Sequence, residues 1–373
     1  MKILLRKLYF ILLLFFHMAM AVAQNKSIED FILEGIVTDQ HSGAVIPHAS
    51  ISILHTTSGT ACDELGQFRI RLENSVPDQK IKVSCIGYKT KILSIDSLRG
   101  VKRIDIRLDA ETIILSEVLI NGVKIDPAQV VKDAINSISR NYYNKNFNME
   151  FHSTISTFDS AKKAPYKIES IVFAYYKGYV PATELRFQFL HKRETGVNPL
   201  KVKCTSPSFD FYDIDLITSP FRVGVFNLEN FPDFRFKYSG VSIYDKDSVY
   251  IVEYEAVRPS SKITGLGKAP QFYRGKIFIT IHDNAIVKHR VEVDWLESEI
   301  IYRKINGYYF PYYIEGTRIL NPSKKQKFRV KNSIALKTIK LENVSIIRDK
   351  EDDYCLENIS FDKEYWNSNY PEN

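Results

Sequence analysis

The sequence contains little cysteine and no motif of a redox centre or a structural zinc site. Its 373 residues include only Cys62, Cys85, Cys204 and Cys355, and no Cys-x-x-Cys pair occurs among them. In an oxidising compartment Cys62 and Cys85 could form a disulfide, whereas cysteine also packs well as a small apolar side chain. We expect four buried free thiols and keep the Cys62–Cys85 bridge as the alternative.

The sequence also lacks the short motifs of common enzyme classes. No serine stands in a nucleophile elbow, and no glycine-rich loop for phosphate is present. The positive charge is modest, with a formal net charge of +7 spread along the chain. These absences predict a protein that is not an enzyme, has no cofactor and does not bind nucleic acid.

Only one apolar run is long enough to suggest targeting. It extends from Leu8 to Met20, follows basic residues and precedes the small-residue pattern at Ala21–Ala23. This pattern is typical of a secretory signal, so residues 1–23 are predicted to be removed, which lowers the formal net charge to +4. The mature protein is expected in the periplasm or at the outer membrane. An uncleaved anchor helix is the alternative, although the run is short for a membrane span.

Residues 31–120 alternate between apolar and polar positions in short runs separated by turns. Phe68, Ile70 and Leu72 point to one side, while Arg69 and Arg71 point to the other. About seven such runs predict an antiparallel, immunoglobulin-like or transthyretin-like β-sandwich.

Five sequence segments in the turns and strands of this region together resemble a known family of domains. The segments are Gly35–Asp39, Ile46–Ile53, Thr57–Phe68, Val83–Tyr88 and Leu115–Leu119. They resemble the carboxypeptidase-regulatory-like domain of Bacteroidetes envelope proteins. The resemblance implies a non-catalytic sandwich, a module that often precedes outer-membrane receptors.

A linker helix is predicted over 126–143. Asp126 is suited to cap its N-terminus, and Pro127 to occupy its first turn. An apolar stripe follows at helical spacing, formed by Val130, Val131, Ala134, Ile135 and Ile138.

Residues 147–345 are predicted to form a second, larger antiparallel sheet or half-barrel, followed by a tail over 346–373. The clearest strands are Phe147–Phe158, Tyr166–Tyr179, Glu184–His191, Phe234–Tyr244, Ser248–Ala256, Gly275–His282, Ala285–Trp295, Phe310–Leu320 and Lys327–Leu341. Long connections are expected over 192–232 and 259–270, where ligand contacts often lie.

This second region also resembles a known group. Segments Phe151–Ile155, Ile168–Tyr179, Val249–Tyr254 and Tyr273–Lys288 are similar to an uncharacterised Bacteroidetes envelope family. Full members of that family join the regulatory-like domain to an outer-membrane barrel. Because the sequence ends at Asn373, we do not expect the barrel here.

Two sets of residues are candidates for a site. His191 and Glu194 have the His-x-x-Glu spacing of a zinc ligand pair, although neighbouring Lys192 and Arg193 oppose a metal, so no metal is expected. The second candidate is a binding surface for sugar or lipid, formed by the rings of Tyr308, Tyr309, Tyr312 and Tyr313.

The leading functional hypothesis is an exported, non-enzymatic envelope protein. Its sandwich would be an interaction module, and its larger sheet would bind an outer-membrane protein, a lipid or a glycan. The alternative is a periplasmic lipid or lipoprotein carrier with an apolar cavity in a half-barrel. A zinc hydrolase that uses His191 and Glu194 is the third hypothesis.

Overall fold

The structure is a computed structural model and consists mainly of β-strands with few helices. It describes residues 30–72, 78–111, 125–159, 165–178, 185–199, 224–264, 269–323, 326–347 and 359–370. The predicted signal segment 1–23, Cys204 and Cys355 lie outside these ranges.

The strands and helices are numbered along the chain. The strands are β1 (Phe31–Asp39), β2 (Ser50–Ile53), β3 (Gly59–Ala61), β4 (Gln67–Leu72), β5 (Lys80–Ser84), β6 (Lys91–Ser94), β7 (Arg103–Leu108), β8 (Phe147–Asp159), β9 (Tyr166–Tyr176), β10 (Leu185–Thr195), β11 (Phe234–Tyr244), β12 (Asp247–Ala256), β13 (Tyr273–Thr280), β14 (Ile286–Val293), β15 (Leu296–Ile305), β16 (Tyr308–Ser323) and β17 (Gln326–Lys340). The helices are α1 (Pro127–Asn136), α2 (Ile138–Asn141), α3 (Ser261–Thr264) and α4 (Lys363–Asn369), and 3-10 turns span Asp96–Leu98, Gly224–Phe226 and Leu228–Asp233.

The first seven strands form the predicted sandwich of two small sheets. Their orders are β4-β1-β7 and β3-β2-β5-β6. Alternate residues of β4 are buried as predicted, with Phe68, Ile70 and Leu72 in the core between the sheets. The expectation of a purely antiparallel sandwich needs one correction, because β1 and β7 are parallel. Cys62 and Cys85 are both free thiols, so the alternative disulfide is not formed.

The predicted linker helix begins at the expected residue but is shorter than 126–143. The carboxylate of Asp126 accepts hydrogen bonds from the amides of Ala128 and Gln129 and so caps α1. The helical stretch ends at Asn141, because Tyr142 adopts extended backbone and forms a bridge with Tyr309. The helix is therefore attached to the sheet at its C-terminal end.

The remaining ten strands form one antiparallel sheet, which confirms the predicted larger sheet. Its order is β10-β9-β8-β17-β16-β15-β14-β13-β12-β11. The first strand of the sheet, β8, pairs with the last one, β17, in the interior. Strands β10 and β11 follow one another in sequence but lie at opposite edges.

The sequence pattern missed one strand of this sheet. β15 follows β14 after a tight turn at Asp294 and Trp295. This turn contains neither glycine nor proline, so the pattern predicts one strand that continues through Trp295 and gives no separate signal for β15. The predicted connection 192–232 also begins later, because β10 continues to Thr195.

One face of the large sheet carries a row of polar side chains that crosses all ten strands. Residues opposite each other in register project from the same face. The row runs through Lys237, Glu253, Lys276, Arg290, Glu299, Glu315, Ser333, Thr154, Glu169 and Arg193. We call this side the charged face.

The opposite side, which we call the apolar face, carries the core. A neighbouring row on it runs through Val252, Ile277, His289, Ile300, Ile314, Ile334 and Ser153, and every member is buried. Helix α1 packs on this face, where Val131, Ala134 and Ile135 join the same core. The sheet is thus polar on one side and apolar on the other.

Helix α4 lies across the charged face near β10. Its Trp366 is buried, with the Arg193 guanidinium 4.7 Å from the ring centroid. Tyr365 stacks on His191 at 3.6 Å, and Tyr370 stacks on His152 at 4.9 Å. Among the residues that the structure describes, no helix combines the length and the apolar character needed to cross a membrane.

Candidate functional site

The sandwich docks on the charged face. This junction contains several buried ionisable side chains with shifted pKa values. Tyr312 donates a hydrogen bond to the His48 carbonyl at 3.0 Å, and the Tyr313 ring packs on the His48 ring at 4.6 Å. At another point of the junction, the Gly87 amide donates to the Ile243 carbonyl at 2.8 Å. Backbone and side-chain contacts therefore both fix the sandwich against the sheet.

An ion cluster lies at the centre of the junction. Lys331 of β17 contacts Glu64 of the sandwich, and its Nζ is 3.0 Å from Oε2 of Glu315. Tyr313 donates to the same Glu315 oxygen at 2.7 Å, and the His48 Nε2 is 3.8 Å from Oε1. Lys331 therefore joins the two domains.

The junction perturbs the ionisation of its members. Burial raises the pKa of Glu315 to about 7, and the neighbouring Glu299 carboxylate adds to this effect. Burial also lowers the pKa of His48 to about 4 and that of Lys331 to about 8. All three shifts have desolvation as their main cause, as expected for charges placed between two packed domains.

The raised pKa of Glu315 predicts a specific dependence of stability on pH. Between pH 4.5 and 7 the folded protein keeps a proton that the unfolded chain has lost, so the Glu315 contribution to stability falls as pH rises through this window. A Glu315→Gln variant should lack this loss, and its stability relative to wild type should increase by up to about 1.4 kcal/mol per pH unit. Urea unfolding at pH 4.5, 6 and 8 measures the difference. The lowered pKa of His48 is due mainly to burial and is expected to persist in the variant. Equal pH profiles of the two proteins would contradict the prediction.

A cleft of about 700 Å³ opens beside the ion cluster. We call it the junction cleft, and its walls come from the sandwich, the charged face and the end of α4. The lining includes Arg69 and Arg71 on the sandwich side and Lys167, Glu169 and Arg193 on the sheet side. Most of these charges are already paired, for example Glu169 with Arg193 at 2.8 Å. A second groove of about 750 Å³ runs over the paired charges of β11 to β15.

The apolar face carries a buried polar pair formed by Tyr254 and His289. Tyr254 and His289 share a hydrogen bond of 2.7 Å between the hydroxyl and Nε2. The tyrosine crosses over Gly275 to reach the next strand, and a side chain at position 275 would lie 2.4 Å from its hydroxyl. Burial lowers the pKa of His289 to about 3, so this ring stays neutral inside the core.

The structure separates the two residues of the zinc hypothesis. His191 packs on Tyr365, with its Nδ1 3.5 Å from Asp362, whereas Glu194 binds Lys192 at 2.7 Å and accepts from Tyr166. Within the described ranges, no group of three or more histidine, cysteine or acidic side chains is arranged to hold a metal.

The four tyrosines of the predicted binding surface serve mainly internal contacts. Tyr309, Tyr312 and Tyr313 are buried, the last two beneath the sandwich. Tyr308 is 37% exposed and packs on Tyr143. The sequence identified the aromatic patch, but it gave no signal that the sandwich would cover it.

The first domain is similar to a known family of domains. Residues 33–120 match the model of the CarboxypepD_reg-like domain. This match confirms the resemblance predicted for the sandwich. No curated protein sequence matches the chain.

Comparison with solved structures concerns the second domain and reaches only low similarity. A DUF1329 family protein from Desulfovibrio piger has 12% identity and a TM-score of 0.29, over 59% of this chain and 96% of that one. A LolA superfamily protein from Nitrosomonas europaea has 11% identity and a TM-score of 0.26, over 65% and 99%. The lipoprotein LppX from Mycobacterium tuberculosis has 8% identity and a TM-score of 0.25, over 59% and 97%.

Proposed function

We propose that this chain is an exported, non-enzymatic envelope protein whose large sheet carries an acyl chain on its apolar face. The observation that carries the proposal is the width of that face. Ten strands about 4.8 Å apart span roughly 43 Å, whereas the ten residues of α1 extend only about 15 Å. The main contacts of α1 are with β11 and β13, at one side of the sheet.

The part of this face beyond the main contacts of α1 has the chemistry of an acyl-chain site. Beyond the main contacts of α1, the row continues through Ile300, Ile314 and Ile334, all aliphatic and all buried. Aliphatic side chains bind a hydrocarbon through the removal of apolar surface from water. Because these residues are already buried, entry of a ligand requires the segments that cover them to move aside.

A binding experiment tests this proposal directly. The full chain is purified from the envelope of expressing cells, and solvent extracts are analysed by mass spectrometry for co-purified lipid. The purified protein is then titrated with a fluorescent fatty acid. We expect co-purified acyl lipids and saturable binding of the probe.

A matched pair of variants locates the site. Ile334→Trp adds volume to the apolar face, whereas Ser333→Trp adds the same ring to the charged face one residue away. We expect the first variant to lose about tenfold in affinity, equivalent to about 1.4 kcal/mol, and the second to bind as wild type. Thermal unfolding of both variants shows that they are folded. Equal probe affinity in the two variants, or a wild type without lipid or probe binding, would refute the proposal.

A further inference from the structure

Arg303 is a buried cation at the junction of the two domains. It projects from β15 toward the sandwich and is only 4% exposed. Its Nη2 donates to the Thr57 carbonyl at 3.3 Å, and its guanidinium carbon is 5.7 Å from the centroid of the Tyr312 ring. Gly59 packs so closely on it that a side chain there would lie 2.5 Å from Nη1.

The charge of this arginine has no direct counter-ion among the described residues. Its Nε and Nη1 are buried without a hydrogen-bond acceptor there. The acidic group that influences it electrostatically, Asp245, is bound by Lys82 at 2.5 Å. A guanidinium remains charged in proteins, and burying it without a partner is strongly unfavourable. An arginine in this position therefore needs an explanation other than support of the docked arrangement.

We propose that Arg303 is a binding site for a carboxylate or phosphate group, which the sandwich covers when docked and exposes when it moves away. Arginine binds such groups through paired N–H donors on one edge of its planar guanidinium, and the unused Nε and Nη1 leave a free donor on each of the two edges that include Nη2. On opening, the Tyr312 hydroxyl would also lose its acceptor at His48 and become available to the same anion. The proposal is independent of the acyl-chain site, since Arg303 lies on the other side of the sheet.

Strand β3 of the sandwich lies over Arg303, and solvent reaches this strand through the junction cleft. Strand β3 lies over the guanidinium, and its Gly59 contributes no side chain. Ser58, Gly59 and Thr60 also line the junction cleft, so an anion that enters the cleft meets the strand that hides Arg303. The sandwich is held over this position by polar contacts, chiefly Lys331 with Glu64 and Lys82 with Asp245.

Chemical labelling of the full chain with phenylglyoxal, which reacts with accessible arginines, tests the opening. Labelling is followed site by site with peptide mass spectrometry. Arg99 has a side chain that is 39% exposed and provides the internal reference. We expect Arg303 to react more slowly than Arg99 but measurably. It should react faster in a Glu64→Gln variant, which weakens the ion pair between Lys331 and Glu64. If Arg303 stays unlabelled while Arg99 reacts completely in both proteins, the sandwich does not open and the proposal fails.

Protection by anions tests the ligand class in the same assay. The additions are inorganic phosphate, acetate, vesicles of an anionic phospholipid and vesicles of phosphatidylcholine. An anion at ten times its dissociation constant should slow labelling of Arg303 about tenfold and leave Arg99 unchanged. Protection by phosphate or acetate supports a free anion, and protection by anionic vesicles alone supports a lipid headgroup. Labelling that no anion slows, or that phosphatidylcholine slows equally, overturns the assignment.

Discussion

A Tyr142→Ala variant is expected to lose about 3–5 kcal/mol of unfolding free energy, the usual range for removal of a buried aromatic side chain. Tyr142 is fully buried where the linker helices meet the large sheet. Its hydroxyl donates to the Ile286 carbonyl at 2.5 Å, and its ring meets Tyr302 edge-on at 5.2 Å. The substitution removes both contacts and leaves a cavity beneath the helices.

Denaturant unfolding followed by tryptophan fluorescence measures this loss, and two variants separate its causes. Tyr142→Phe keeps the ring and removes only the hydrogen bond, so its loss should be about 1 kcal/mol. Tyr143→Ala removes a neighbouring, partly exposed ring and should cost less than Tyr142→Ala. If the two alanine variants were equally stable, Tyr142 would not anchor the helices.

Replacement of Arg303 by methionine is expected to act in the opposite direction and stabilise the protein. Methionine fills a similar volume without a charge, and exchange of buried charges for apolar residues often raises stability by about 1–4 kcal/mol. The gain should be large here because Nε and Nη1 of Arg303 have no acceptor among the described residues. A residue that lowers the stability of the folded protein is typically retained because the function of the protein requires it.

The same unfolding measurement checks this prediction, with Arg303→Lys as the control. Lysine keeps the positive charge but lacks the arginine fork, so this variant should show no gain. A fall in the stability of Arg303→Met would indicate that the guanidinium supports the junction through contacts beyond Thr57 and Tyr312. The prediction and the labelling experiment are independent, since one measures the energy of the closed state and the other its opening.

The fold could be predicted from the sequence wherever local pattern and turn chemistry agreed. The cap at Asp126 follows from residue type alone. The alternation in β4 assigned its buried residues correctly because the sandwich core lies on one side of that strand. Each of these features is determined by residues that lie close together in the sequence.

The site could not be predicted, because it depends on contacts between distant segments. Lys331 looks like part of a solvated basic run until Glu64, far away in sequence, is placed beside it. Arg303 lies in a strand that the pattern missed, and its burial results from Gly59 of the other domain. The tyrosines at 312 and 313 are covered for the same reason. No local periodicity encodes which face of a sheet will receive a second domain.

The pairing of β8 with β17 also determines how this protein must fold. Asn148 lies opposite Lys340 and Asp159 opposite Phe328, so the central ladder joins residues about 170 to 190 positions apart, a separation that makes folding slow. Until β17 is available, the chain has only two separate meanders, β8 to β10 and β11 to β16, each with an unpaired edge. Exposed edges invite association with other chains. Because β17 is the last of the described strands along the chain, the two parts of this sheet stay separate until the segment that ends at Lys340 has been synthesised.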